Sequence, residues 1–210
     1  IFQLTLNHHC MKVICLKVLL LRSGSQIPSS IPDLSVCRIY KKMAKTLSKY
    51  TPEQQRNLKL APFAVFDAVA GADGVIETRE RQDFINYIKN YNSKEHVLTQ
   101  AIVDSINSDP TELMKMLSES TQAHNNIYHL WSTLEKEWEN TEIKDFREDL
   151  FNLGVMLTGD FPTMGSSETM ALAGLAILLE TDIENHPSKE DRLSDVHSLL
   201  MEIEMEYRTS

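Results

Sequence analysis

Two carboxylates, Asp73 and Glu80, stand seven residues apart in the segment Ala70-Gly71-Ala72-Asp73-Gly74-Val75-Ile76-Glu77-Thr78-Arg79-Glu80. Acids at this spacing across a tight turn have two uses. They can accept backbone N–H groups at a turn and a helix start. They can also hold a hard cation, because oxygen ligands suit Mg²⁺ or Ca²⁺ better than zinc or copper. No Cys or His lies within the segment, which keeps the ligand chemistry to oxygen. Asp67, six residues before Asp73, is a further acid close to the turn. An EF-hand loop also wants oxygen ligands at positions 1 and 3. With Asp73, Gly74, Ile76 and Glu80 at positions 5, 6, 8 and 12, those two positions fall on Val69 and Gly71, so the segment is not an EF-hand. Capping alone would explain the acids: a positive φ at Gly74, an Asx turn at Asp73, and Glu77 and Glu80 in the first turn of the next helix.

Helices have to position these groups. Phe63, Phe66 and Val69 precede the turn at helical spacing, and Phe84, Ile85 and Ile88 follow it. Helix starts are legible elsewhere too. Thr51-Pro52-Glu53-Gln54 is a capping-box pattern with Pro in the first turn, Asp109-Pro110-Thr111-Glu112 repeats the logic, and Ser188-Lys189-Glu190-Asp191 is a looser version. The periodicity predicts helices over 52–71 (bent at Pro62), 78–91, 94–106, 110–122, 125–139, 142–158, 167–181 and 189–207. No segment alternates as a strand. The expected class is all-α, a compact multi-helix bundle with Phe63, Phe66, Val69, Phe84, Ile88, Leu153, Met156, Leu172, Leu175, Leu200 and Ile203 in its core.

A weak internal repeat is visible. Setting Asp73 against Asp160 pairs Phe63 with Leu150, Phe66 with Leu153 and Val69 with Met156. After one inserted residue, Glu80 pairs with Glu168, Phe84 with Leu172 and Tyr87 with Leu175. Two pseudo-repeated halves are one reading, and chance agreement between amphipathic helices is the other. If the repeat is real, Asp160 and Glu168 form a partner cluster to Asp73 and Glu80.

The motif apolar-Ala-x-Ala-Asp-Gly-x-Ile-x-x-x-Glu, carried here by Ala70, Ala72, Asp73, Gly74, Ile76 and Glu80, resembles the tellurite-resistance TerB-like family. The resemblance covers about thirty residues well and 43–210 loosely. It implies a compact helical domain of two halves whose acidic residues bind a divalent metal. It also implies a place in tellurite and chemical-stress responses, in the cytoplasm and often with a partner at the cytoplasmic membrane face. The metal residues it implies are Asp73 and Glu80 in the first half and Asp160 and Glu168 in the second. The second half departs from the pattern, with Phe161 in place of the glycine and an extra residue before Glu168.

The net charge of −9 is unevenly divided. Residues 1–42 carry six Lys/Arg and one acid, a net +5, and all three cysteines, Cys10, Cys15 and Cys37. Residues 43–210 carry 15 basic and 29 acidic residues, a net −14. We therefore expect 1–42 to be a basic N-terminal extension outside the fold, with Met43-Ala44-Lys45 reading as a natural start and 43–210 as the folded domain. The competing reading is a targeting segment built on Met11-Lys12 and the apolar stretch Val13–Leu21, although Lys17 interrupts it and no Ala-x-Ala-like cleavage site follows.

An acidic body repels nucleic acid and anionic membranes, so no nucleic-acid partner is expected. A cysteine-free body offers no thiol chemistry or zinc knuckle. There is no His-Glu-x-x-His, no Gly-x-Ser-x-Gly, no phosphate-binding glycine loop and no dinucleotide fingerprint, and no organic cofactor is expected. His124 and His129 fall on different helix faces, Trp131 and Trp138 read as core, and Glu135, Glu137, Glu139 and Glu142 read as a solvated face. The function expected from these residues is non-catalytic: binding a divalent cation, Ca²⁺ or Mg²⁺, through the acids, or acting through a protein partner. The alternatives are a metal-dependent enzyme using the same carboxylates and a metal-free helical adaptor.

Overall fold

The structure, a computed structural model, describes residues 46–109, 111, 115–116, 130, 132, 134–159, 165–186 and 193–209. Two units divide the chain, Ile1–Lys49 and Tyr50–Ser210. In the first, Thr46 and Leu47 are helical and Ser48 and Lys49 form a turn. Among the described residues the second holds six bounded α-helices and no strand. The class is all-α.

Thr51 starts the first helix, α1 (Pro52–Ala70). Its Oγ1 accepts the Gln54 N–H at 3.2 Å, and the Gln54 Oε1 accepts the Thr51 N–H at 2.8 Å, a reciprocal capping box. Pro62 sits inside α1 with its ring buried, and the helix continues through it to Ala70. The acidic turn then leads into α2 (Thr78–Asn90), whose buried residues are Phe84 and Ile88. Phe84 locks α2 to α1: its ring meets Phe63 edge-on at 5.2 Å and stacks on Phe66 at 4.6 Å.

Helix α3 (Val97–Asn107) buries Leu98, Ala101, Ile102, Val103 and Ile106. Its Asn107 side chain donates to the Ile88 carbonyl at 2.7 Å, satisfying an acceptor at the end of α2. The helix begins three residues later than the expected 94, because Ser93 and His96 spend their groups in a turn. The His96 N–H donates to Ser93 Oγ and the Ser93 N–H to Gln100 Oε1. Between α3 and the next bounded helix, Glu135–Glu137 form one 3₁₀ turn and the buried Trp138 follows it, so the helix expected to reach 139 ends earlier. Leu130, Ser132 and Leu134 are helical, and the other residues of that span and most of 110–122 lie outside the described residues.

Helix α4 (Thr141–Leu157) is capped by the Asn140 side chain, which accepts the Glu142 N–H at 2.9 Å. It packs against α1, α2, α3 and α5 (Ser166–Leu179). Gly154 allows α4 a close approach to α5 and α1. A Cβ there would stand 2.9 Å from Leu175 Cδ2, 3.0 Å from Leu172 Cδ2 and 3.5 Å from Val69 Cγ2. Helix α5 ends at Glu180, which takes the left-handed conformation with φ 50°. Its outward residues include Met170, Ile177 and Leu178, all exposed.

Helix α6 (Ser194–Thr209) lies against α5. It buries Val196, with Leu193 just before its start. Leu200 and Ile203, expected in the core, are half-buried, as is Met156. The other eight expected core residues are buried. The α6 stripe is incompletely covered because α5 is the helix it mainly packs on among those described.

Candidate functional site

The acidic turn forms because its glycines allow it. A Cβ on Gly71 would lie 2.5 Å from the Asp67 carbonyl oxygen, and Gly74 adopts φ +88°. Asp73 Oδ1 then accepts the Val75 N–H at 2.9 Å, an Asx turn. Glu80 Oε2 accepts the Glu77 N–H at 2.7 Å and covers a donor at the start of α2. At the start of α5, Glu168 Oε2 accepts the Gly165 N–H at 2.8 Å, the same bond three residues back. Asp73 and Glu77 are exposed, and Glu80 and Glu168 are half-buried.

These acids act on one another. Partial burial pushes the Glu80 carboxyl above its ordinary pKa. The Glu77 N–H bond pulls it back, and the charges of Glu77, Asp73 and Glu168 push it up again. The fold thus brings Glu168 within electrostatic reach of Glu80 although 88 positions separate them. Asp160, the fourth predicted metal residue, lies outside the described residues. Among the described residues no three His, Cys, Asp or Glu side chains converge to hold a metal ion. The donor set fits a hard cation in its chemistry. Asp73, Glu80 and Glu168 each keep one carboxylate oxygen with no protein hydrogen bond among the described residues.

A second cluster carries no mark at the level of motifs. Asp149, on α4, is 7% exposed. Its Oδ2 accepts the Tyr91 hydroxyl at 2.9 Å and the Thr99 hydroxyl, and its Oδ1 faces His96 Nδ1 at 2.8 Å. Tyr91 follows α2, His96 precedes α3 and Thr99 lies within α3, so one carboxylate ties three elements together. Burial alone would lower the His96 pKa. The hydrogen bond and charge of Asp149, with the charges of Asp145 and Glu148, overcome that and hold it above its ordinary value. Burial and then the Asp149 charge push the Tyr87 and Tyr91 hydroxyls well up. A carboxylate orienting an imidazole is also how a catalytic base is held. Here the carboxylate also takes the Tyr91 and Thr99 hydroxyls, so it clasps α4 to the segments around α2 and α3. The one signal available in sequence was an acid inside the apolar stripe Phe146, Leu150, Leu153.

No protein-family model, curated protein or solved structure matches the chain. The TerB-like resemblance therefore rests on the residues that carry it, Ala70 to Glu80. Among the described residues, no helix is long and apolar enough to cross a membrane.

Proposed function

We propose that the chain is a non-catalytic binding domain of the TerB-like kind, in which a divalent cation, Ca²⁺ or Mg²⁺, is held by the acids at the starts of α2 and α5. The observation that carries this reading is that Asp73, Glu80 and Glu168 each spend one carboxylate oxygen on a backbone N–H and keep the other without a protein hydrogen bond among the described residues. A cation there would relieve like-charge repulsion and take up the carboxylate oxygens that capping leaves over. A role in tellurite or chemical stress, a partner at the cytoplasmic membrane face and a cytoplasmic location belong to the same proposal through the resemblance. Asp160 would join the site as the second-half acid.

Thermal melts of the full chain with EDTA and with millimolar calcium or magnesium test the reading. Binding stabilises the fold by about 2.7 kcal/mol at a hundredfold excess over Kd. Asp73→Asn with Glu80→Gln should abolish that gain. Binding accompanied by hydrolytic turnover would favour the metal-dependent enzyme instead. A wild-type melt that ignores every divalent ion leaves the acids as turn and cap residues. The chain is then a metal-free helical adaptor, a reading favoured by exposed Met170, Ile177 and Leu178 on α5.

A further inference from the structure

Helix α5 has no charged residue between Glu168 and Glu180. A helix that is apolar all round is ordinarily enclosed. Leu172, Ala173, Leu175, Ala176 and Leu179 are buried, and α1, α4 and α6 pack against the helix. The other side is open. At about 100° per residue, Met170, Ala171, Gly174, Ile177 and Leu178 fall within about 60° of one line along α5. Met170 is 67% exposed, Ile177 53% and Leu178 42%. Gly174 stands in the middle of this face, and a Cβ built on it meets no described atom within 4 Å. Its φ is not in the left-handed region either. Glycine inside a helix is less stable than alanine by about 1 kcal/mol. At Gly154 the crowding by Leu172 and Leu175 explains the choice. At Gly174 nothing inside the described chain does, so the close approach that a glycine permits comes from outside.

The face is self-complementary about Gly174. Met170 and Leu178 stand four residues to either side of it, and Ala171 and Ile177 three. When two copies of α5 run antiparallel across a two-fold axis at Gly174, each Met170 faces a Leu178 and each Ile177 faces the small Ala171. The two glycines meet at the crossing and let the backbones come close. Charge points the same way. The chain carries a net charge of −9, so two copies repel one another except through a face without charge. The acids that bound α5 are engaged within their own chain. Glu168 Oε2 accepts the Gly165 N–H at 2.8 Å. Glu180 Oε2 accepts from Arg147 Nη1 at 3.0 Å, and that guanidinium lies 4.5 Å over the Trp138 ring. A basic partner drawn to an acidic protein would be recognised by charge on the contact face, and this face offers none. We propose that α5 pairs antiparallel with the α5 of a second copy of this chain, with Gly174 at the crossing. The pairing is isologous and stops at a dimer. One pair of short helices covers less than the roughly 800 Å² per partner of a standard interface. The expected dissociation constant is therefore on the order of tens of micromolar.

Sedimentation velocity of the full chain from about 1 to about 300 micromolar spans that constant and tests the proposal. A reversible monomer–dimer equilibrium is expected, unchanged or tightened by added salt, because screening weakens the net repulsion. Ile177→Glu should abolish the dimer over this range, since it places a charge in the contact. Gly174→Leu separates a fitted interface from general stickiness. Its site has room and leucine favours a helix, so the melt of dilute protein should be unchanged or raised. The dimer should nevertheless weaken at least about tenfold, because the added side chain holds the backbones apart. Val75→Glu, at another exposed apolar residue, should leave association as it is. Orientation is read by cross-linking in a chain carrying Cys10→Ser, Cys15→Ser and Cys37→Ser. Gly174→Cys should there give a disulfide-linked dimer under mild oxidation. Met170→Cys should not, since antiparallel pairing sets the two copies of that position about 12 Å apart along the axis. A chain that stays monomeric throughout overturns the proposal and leaves the face to a partner of another kind. It is also overturned if Gly174→Leu associates as strongly as the wild type, if Val75→Glu acts as Ile177→Glu does, or if Met170→Cys cross-links as readily as Gly174→Cys.

Discussion

Asp149 and Asp73 are the same functional group held in opposite ways. Asp149 is buried and takes its bonds from Tyr91, His96 and Thr99, 50 to 58 positions away in the chain. Asp73 is exposed and takes its bond from a backbone N–H two positions on, and Glu80 does so three positions back. The first carboxylate is a tertiary clasp with both oxygens engaged. The second pair organises the chain locally and keeps oxygens turned to solvent. Stability therefore concentrates at Asp149, while the oxygens the proposed cation would use are those left over at Asp73 and Glu80, because a spent acceptor cannot also serve an ion.

The largest effect that would break this contrast is at the clasp. Asp149→Ala leaves three buried or half-buried donors without their acceptor and is expected to cost about 3–5 kcal/mol in urea unfolding. A loss below about 1 kcal/mol would mean that the clasp is decorative.

The next effect is one of pH. The His96 pKa is raised in the fold, so its pairing with Asp149 stabilises fully below the ordinary value of 6.5 and fades as pH rises through the folded pKa. The melting-temperature deficit of His96→Gln should accordingly be larger at pH 5.5 than at pH 8. His186 has the opposite sign: burial lowers its pKa, so its contribution is present above 6.5 and lost as pH falls. Melts of His186→Gln across the same range should show the reverse trend.

At the acidic turn the effect on the ion-free protein should be small. Asn and Gln retain an acceptor oxygen, so Asp73→Asn with Glu80→Gln should change stability in EDTA by less than about 1 kcal/mol, the low end of what losing a cap costs. The smallest expected effect sharpens the contrast most. Glu168→Gln removes a negative charge that acts on Glu80, and an NMR titration should find the Glu80 midpoint lowered. An unmoved midpoint would mean that the starts of α2 and α5 do not communicate.

The local half of this contrast could be read from sequence and the tertiary half could not. Thr51-Pro52-Glu53-Gln54 announced α1 because capping chemistry spans three residues, and Asp73-Gly74 announced its turn for the same reason. The proximity of Glu80 and Glu168 was within reach only through the weak repeat alignment that paired them. His96 and Asp149 lie 53 residues apart, with no motif linking them. Core phasing succeeded where helices are enclosed, as at Phe63 and Leu153. It overreached at Leu200 and Ile203, because periodicity gives the direction of a face and not what covers it.

The left-handed turn at Glu180 sets backbone strain against side-chain order at a single residue. A non-glycine side chain with φ 50° carries backbone strain of roughly 1 kcal/mol or more. Glycine would remove that strain and make Glu180→Gly a natural choice for a thermostabilising engineer. The same substitution would strip the Arg147 guanidinium of the carboxylate that holds it over Trp138. A hardened variant chosen by melting temperature alone would thus arrive with a loosened arginine.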